Sequence, residues 1–290
     1  PVNEYYALGR AIERNENDAL LVVGGLNAYL AVKEMTNELD RYPAFRIPIV
    51  LVPASIDNNL PGAELAIGTD TALNNAVWAL DRIKESAAAS KRCFVAELMG
   101  RRCGYLTLMA GIASGAEYAY LNEENTTLAE IDQDAHRMHQ TFENGRRLFL
   151  VVVNEEADAH YNREFLANVF EAESGGLYDV RSYALGHLQQ GGTPTPYDRL
   201  LATRLVNAAL NECEDQFADG RAQAVYVGDM GNAIQVRPVE HMFDDLDFAN
   251  RRPFNQWWRD LRPILAAVSV QVPPRELQPV TIIQAEGFGH

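Results

Sequence analysis

Between Val52 and Gly68 the chain reads Val-Pro-Ala-Ser-Ile-Asp-Asn-Asn-Leu-Pro-Gly-Ala-Glu-Leu-Ala-Ile-Gly. Ser55, Asp57, Asn58 and Asn59 place a hydroxyl, a carboxylate and two amides in one short stretch. Such a carboxylate can take a proton, and the amides can hold a hydroxyl or hydrogen-bond a phosphate. Asp, Asn, Pro and Gly are also the ordinary turn residues, so by itself the stretch favours a plain turn. Three further polar loops change that balance: Met99–Arg102, Asn154–Glu156 and His187–Gln190. Each follows an apolar run, so in a parallel sheet all four loops emerge at the carboxyl edge, where α/β proteins bind ligands. Arg92, Arg101 and Arg181 are expected to reach the same region. Guanidinium groups offer forked donors that match phosphate oxygens. With His187 for phosphate and with Asp57 and Glu155 for hydroxyls, the set suits a small phosphorylated sugar. One such arginine would read as surface charge; several at strand ends of an acidic chain point to a site.

The elements that must position these residues alternate strand with helix. Residues 3–16 read as a helix, 19–25 as a buried strand ending in Gly24-Gly25, and 26–35 as a helix containing Asn27. Strand, Gly-Gly, helix is one geometry for approaching a phosphate, although a tight turn uses the same pattern. Strands are expected at 47–52, 92–98, 116–121, 148–153, 181–185 and 224–227. Helices are expected at 69–89, 105–113, 127–144, 163–173 and 197–215, with another opening in the Arg251–Trp258 segment and running to about 268. The fold class is therefore α/β with mainly parallel, Rossmann-like sheets. Pro273 and Pro274 end regular structure, and 271–290 reads as a loose tail. The chain opens on a helix and lacks an initiator Met, which reads as a fragment or a processed chain. His136 and His139 share a helix face with no third ligand nearby, so they read as solvated.

Bulk properties narrow the function. The 290 residues carry a formal charge of −15, which argues against non-specific nucleic-acid binding. No apolar run has the roughly 18 residues of a membrane span, and the polar start is unlike a secretion signal. Three cysteines, Cys93, Cys103 and Cys213, lack metal-ligand spacing and suit a reducing cytoplasm. No metal ligand set is expected.

The ordered motifs Gly24-Gly25, Ser55-Ile-Asp-Asn-Asn59, Ile67-Gly-Thr-Asp-Thr-Ala72, Met99-Gly-Arg101, Gly186-His-Leu-Gln-Gln-Gly-Gly-Thr-Pro194 and Asp198-Arg199 resemble those of the 6-phosphofructokinase family. The resemblance runs from Leu20 to Val268. It implies two Rossmann-like domains with a sugar-phosphate site between them. The expected division is a nucleotide-side domain of 1–68 with 189–245, and a sugar-phosphate domain of 69–188 with 251–270. By resemblance Asp57 is the acceptor of the sugar hydroxyl's proton, Arg101 the transition-state arginine and Glu155 a hydroxyl acceptor. Ser55, Asn58, Met99 and Gly100 belong to the same loops. Arg92, Arg181 and His187 clamp the sugar phosphate, the two arginines arriving from a neighbouring subunit, and Arg251 reaches a second phosphate. Asn59 and Gln190 stand where the family has an aspartate and an arginine.

On the nucleotide side the family's Gly-Gly-Asp-Gly-Ser is here Gly24-Gly-Leu-Asn-Ala28, and leucine cannot hold magnesium. The family's first Gly-rich strand loop is missing. This pattern resembles the C-terminal, regulatory half of duplicated eukaryotic-type enzymes, which binds fructose 2,6-bisphosphate. ATP and magnesium would then serve the whole enzyme rather than this chain. The partners would be fructose phosphates, a catalytic half and neighbouring subunits of a homo-oligomer, tetrameric in the family. Retention of Asp57 and Arg101 keeps a competent kinase half as an alternative, and a purely structural half is a third.

Overall fold

The computed structural model describes residues 2–86, 90–231 and 233–269. In chain order the helices are α1 (Val2–Arg14), α2 (Leu26–Asn37), α3 (Thr69–Glu85), α4 (Tyr105–Ser114), α5 (Leu128–Glu143), α6 (Arg163–Glu173), α7 (Pro196–Asp219), α8 (Val239–Asp244) and α9 (Arg262–Ser269). The main strands are β1 (Leu20–Gly24), β2 (Ile49–Pro53), β3 (Arg92–Leu98), β4 (Tyr118–Tyr120), β5 (Leu148–Asn154), β6 (Asp179–Ala184), β7 (Ala224–Asp229) and β8 (Ile234–Pro238).

The strands form two four-stranded sheets. The first has the order β1-β2-β7-β8, parallel except for the β7–β8 hairpin. The second, β4-β5-β3-β6, is parallel throughout. Continuous apolar runs such as Ile49–Val52 are fully buried because helices cover both faces, as a parallel sheet requires. Alternation sorts the side chains. Ile49, Leu51 and Tyr226 pack with α1, α2 and α8, while Val50, Val52, Val225 and Val227 pack under α7. In the second sheet Phe94, Ala96, Leu150 and Val152 meet α3, α4 and α9, and Val95, Val151 and Val153 meet α5 and α6.

Local chemistry sets the helix ends. Thr195 caps α7 with Pro196 in its first turn, and left-handed Gly220 closes it. Thr127 and Glu130 form a capping box on α5. α3 starts after left-handed Gly68, with Asp70 in its first turn and Arg82 and Lys84 in its last. Asp198 joins the two sheets here. It is 3% exposed and accepts from Gly68 N–H (2.9 Å), Thr71 N–H (2.8 Å) and Thr71 Oγ1 (2.5 Å). One carboxylate thus serves the amino ends of α3, over the second sheet, and α7, over the first.

The sequence reading is corrected in the last third. Arg251–Trp258 opens no helix: Arg252–Pro253 pairs antiparallel with Leu246–Asp247, and a 3-10 turn at Trp257–Leu261 precedes α9. Pro253 has no N–H to give a helix, and Asp247 Oδ1 captures the N–H groups of Ala249 (2.9 Å) and Asn250 (3.1 Å). β8 and α8 went unpredicted, since each is short and weakly patterned. The expected tail at 271–290 lies outside the described residues. Among those described, no helix is long and apolar enough to cross a membrane, and Cys93, Cys103 and Cys213 are free and buried.

Replacing Asp198 with Ala strands two N–H groups at buried helix ends and removes a charge from both. Its expected cost is about 3 kcal/mol, read as a lower urea midpoint with an unchanged slope; an unaltered midpoint would refute the joint.

Candidate functional site

The loop after β2 is built by its own polar side chains. Ser55 N–H donates to Ile67 O (3.0 Å) and Asp57 N–H to Ser55 Oγ (3.2 Å). Asn58 is left-handed (φ 51°); its amide donates to Glu64 O (2.9 Å) and accepts from Ala66 N–H (3.0 Å). Asn is among the few residues that tolerate this backbone and bond locally. Asn59 accepts from Ser55 Oγ (3.3 Å) and donates to Arg251 O (3.1 Å). Asn58 and Asn59 are therefore structural ties, 7% exposed, while the Asp57 carboxylate is left for the solvent side.

After β3 the Met99–Arg102 loop turns under Glu155. Glu155 Oε1 accepts from Gly100 N–H (3.1 Å) and Arg101 N–H (2.6 Å). Gly100 has φ 133°, and a Cβ there would drive into Cys103 O, so only glycine fits. Arg101 is itself left-handed (φ 52°), which aims its guanidinium at Asp57, with Nε 3.8 Å from Oδ2. The arginine side chain is 67% exposed and the aspartate 16%. Left-handed Arg251 (φ 56°) completes the ring, donating to Asn27 Oδ1 (2.5 Å). Three of the four non-glycine residues with positive φ among those described thus surround one site, where backbone strain tends to gather.

Between these loops lies a cavity of about 350 Å³ lined by Gly25, Leu26, Asn27, Ser55, Asp57, Asn59, Arg101, Arg102, Glu156, Asn250 and Arg251. α2 begins there without a side-chain cap, so its amino end favours an anion. Burial raises the Asp57 carboxyl above its usual range; Arg101 pulls it back, and Glu155 and Glu156 push it further up. A poised carboxyl beside arginines can accept a proton from a bound hydroxyl.

The structure separates other expected members. Gln190 Nε2 lies 3.5 Å from Met99 Sδ, and neither His187 nor Gln190 lines the cavity. Arg92 was expected at the same edge but opens β3, at its amino end, and donates to Ser86 O (3.1 Å). Seven residues of strand put it about 20 Å from the Met99 turn. Arg181 pairs in register with Phe94, midway along β6, exposed beside Asp179 (4.0 Å). Neither arginine reaches the cavity of its own chain. Conversely Arg102, Glu156 and Asn250 line it without having been assigned a role. Asn250 had a readable signal, the Asp247-x-x-Asn250 turn before Arg251.

Leu26 offers magnesium no ligand, and the carboxylates that line the cavity are those of Asp57 and Glu156; no group of three or more His, Cys, Asp or Glu among the described residues could hold a metal.

Residues 3–213 match the family described as phosphofructokinase. This chain belongs to the phosphofructokinase family. The horse muscle-type ATP-dependent 6-phosphofructokinase is 36% identical over 91% of the chain and 35% of its own length. The Dictyostelium discoideum ATP-dependent 6-phosphofructokinase is 38% identical over 91% and 32%. The chain thus spans about a third of these phosphofructokinases. The solved Saccharomyces cerevisiae phosphofructokinase superposes with a TM-score of 0.85 at 31% identity, covering 90% of this chain and 37% of that one. A Pichia pastoris phosphofructokinase in the T-state gives 0.81 at 31% identity, over 90% and 32%.

A carboxyl raised by burial favours the fold only while protonated. It lends stability below the ordinary aspartate value of 3.8 and loses it as pH rises through the raised value. Asp57→Asn is therefore expected to melt above the wild type at pH 7, with the gap closing as pH falls toward 4. A gap independent of pH, or of opposite sign, would show that Asp57 is not a desolvated acid.

Proposed function

We propose that this chain is the sugar-phosphate-binding half of a 6-phosphofructokinase, and that it serves as an effector site for a fructose 2,6-bisphosphate-type ligand. The observation that carries this is the cavity itself. Arg101, Arg102, Arg251 and the uncapped end of α2 converge on it beside Asp57, while Leu26 in the same lining offers a metal no ligand. The arginines suit an anionic sugar, and Leu26 adds nothing that would hold a nucleotide's metal. ATP and magnesium would belong to the catalytic half of the whole enzyme, which makes fructose 1,6-bisphosphate from fructose 6-phosphate.

In this reading the first sheet is the former nucleotide side and the second the sugar-phosphate side. Arg92 and Arg181, remote from their own cavity, act on a neighbouring subunit's sugar phosphate beside its His187, so the working form is a homo-oligomer, a tetramer as in the family. Three free buried cysteines suit a reducing cytoplasm. Allosteric coupling follows if the ligand prefers one packing of the halves.

A second reading has its own observation. Burial makes Asp57 a weaker acid, and so a better base, beside Arg101, as a general base for a sugar hydroxyl requires. There Asp57 would take the hydroxyl proton while the freed oxygen attacks the γ-phosphorus of a nucleoside triphosphate held from elsewhere, breaking its bond to the β–γ bridging oxygen and releasing the nucleoside diphosphate.

Parallel titration calorimetry with fructose 2,6-bisphosphate, fructose 6-phosphate and ATP–magnesium separates the two. The effector reading expects bisphosphate binding without ATP binding; ATP–magnesium binding together with fructose 6-phosphate would establish the kinase reading. Arg181→Ala is expected to weaken bisphosphate binding by about tenfold or more, the value of a charge-assisted phosphate contact. Unchanged affinity would remove Arg181 from the site. Asp57→Asn should leave bisphosphate binding largely intact, and loss of turnover in the full-length enzyme would overturn the effector role.

A further inference from the structure

Arg102 is held differently from the other cations near the cavity. Its Nε donates to Glu156 Oε2 (3.0 Å) and its Nη1 to Ala249 O (2.7 Å). Arg252, in contrast, is locked on Glu123, both nearly buried. Arg251 is tied through its guanidinium to Asn27, and Arg101 faces the carboxylate of Asp57. The Arg102 and Glu156 side chains are 48% and 47% exposed. An ion pair so open to water has little net strength, and a planar guanidinium makes stronger, two-pronged bonds to a phosphate dianion. Both residues line the cavity, so the exchange needs only a side-chain rotation.

Position decides which phosphate would be involved. Gln190 lies against Met99, its Nε2 3.5 Å from Sδ, and neither it nor His187 is on the side that lines the cavity. A sugar monophosphate held by its phosphate at His187 and Gln190 presents only hydroxyls to Arg102. A bisphosphate presents a second dianion.

We propose that Arg102 is the residue that selects a sugar bisphosphate over a monophosphate, by exchanging Glu156 and Ala249 for the second phosphate. This rests on the sugar-phosphate reading above. The exchange also releases a tie between the loop after β5 and the 247–251 turn, so occupancy and loop position change together.

The test is titration calorimetry of the full chain with fructose 2,6-bisphosphate and with fructose 6-phosphate. Arg102→Ala is expected to lose at least about tenfold in bisphosphate affinity, the scale of a charge-assisted bond, with fructose 6-phosphate unchanged within twofold. Glu156→Gln, which frees Arg102 without emptying the cavity, is expected to tighten bisphosphate binding severalfold. Combined with Arg102→Ala that gain should shrink, because the two residues are coupled. Equal losses for both sugars in Arg102→Ala, or a Glu156→Gln gain that persists without Arg102, overturns the selector role alone. Wild-type chain that binds neither sugar overturns the sugar-phosphate reading and this inference with it. Should Arg102→Ala fail to fold, Glu156→Gln on the wild-type chain decides: a preference no stronger than wild type's refutes the exchange.

Discussion

The carboxylate of Asp198 is the constraint on which the rest of the structure hangs. Two helix amino ends, each with unsatisfied N–H groups, meet where the two sheets approach. One buried anion answers both, accepting from Gly68 and Thr71 of the α3 start while sitting in the first turn of α7. Thr195 extends the joint, donating to Asp70 Oδ2 (2.5 Å) and accepting from Asp198 N–H (3.2 Å). Gly68 closes the strand-to-helix connection that begins with Ser55 and Asp57, and Thr69 Oγ1 donates to Ser55 O (2.7 Å). The placement of the site loop is thus inherited from the joint between the sheets.

From that joint the site builds outward by loops holding loops. Asn59 holds Arg251 through its carbonyl, Glu155 holds the Gly100 turn, and Arg252 anchors the 247–253 hairpin on Glu123 and Asn122. Side-chain to main-chain bonds of this kind fix backbone that no ladder supports, which is how Asn58, Arg101 and Arg251 sustain left-handed conformations. The Asn58 and Asn59 amides are consumed in this work. The free chemistry is then left largely to Asp57 and the guanidinium groups, an arrangement able to bind anions and to hold or accept one proton.

Legibility in the sequence followed burial. β3 and α6 were readable to the residue, because Cys93–Ala96 is a continuous apolar run inside Arg92–Leu98 and Arg163–Glu173 has a clean face after the Asn162 cap. The parallel α/β class followed from the alternation. The Arg251–Trp258 segment misled because its aromatic spacing imitates a helix face. In fact Trp258 is buried in the second core while Trp257 Nε1 donates to Glu64 O (3.2 Å) across the molecule. The loops of the site were legible as strand ends; which member of each loop faces the cavity was not. Arg101 and Arg102 are neighbours in sequence, yet only the left-handed φ at Arg101 sends one to Asp57 and the other to Glu156.

The same geometry explains why residue type alone cannot assemble a phosphate clamp. Arg92, Arg101 and Arg181 are chemically equivalent, and a list of basic residues treats them alike. The sheet does not. In a parallel sheet every amino end lies at one edge and every carboxyl end at the other, so a residue that opens a strand is held a full strand length from one that follows it. Arg92 and Arg101 bracket β3 and are kept apart by its seven residues, while Arg181 is fixed midway by its register with Phe94. No side-chain rotation closes a gap of about 20 Å. Any ligand that touches all three must therefore lie between two copies of the chain, whereas Arg101, Arg102 and Arg251 can meet one ligand within a single copy. The topology thus splits these guanidinium groups into a set that lines one cavity and two that lie away from it.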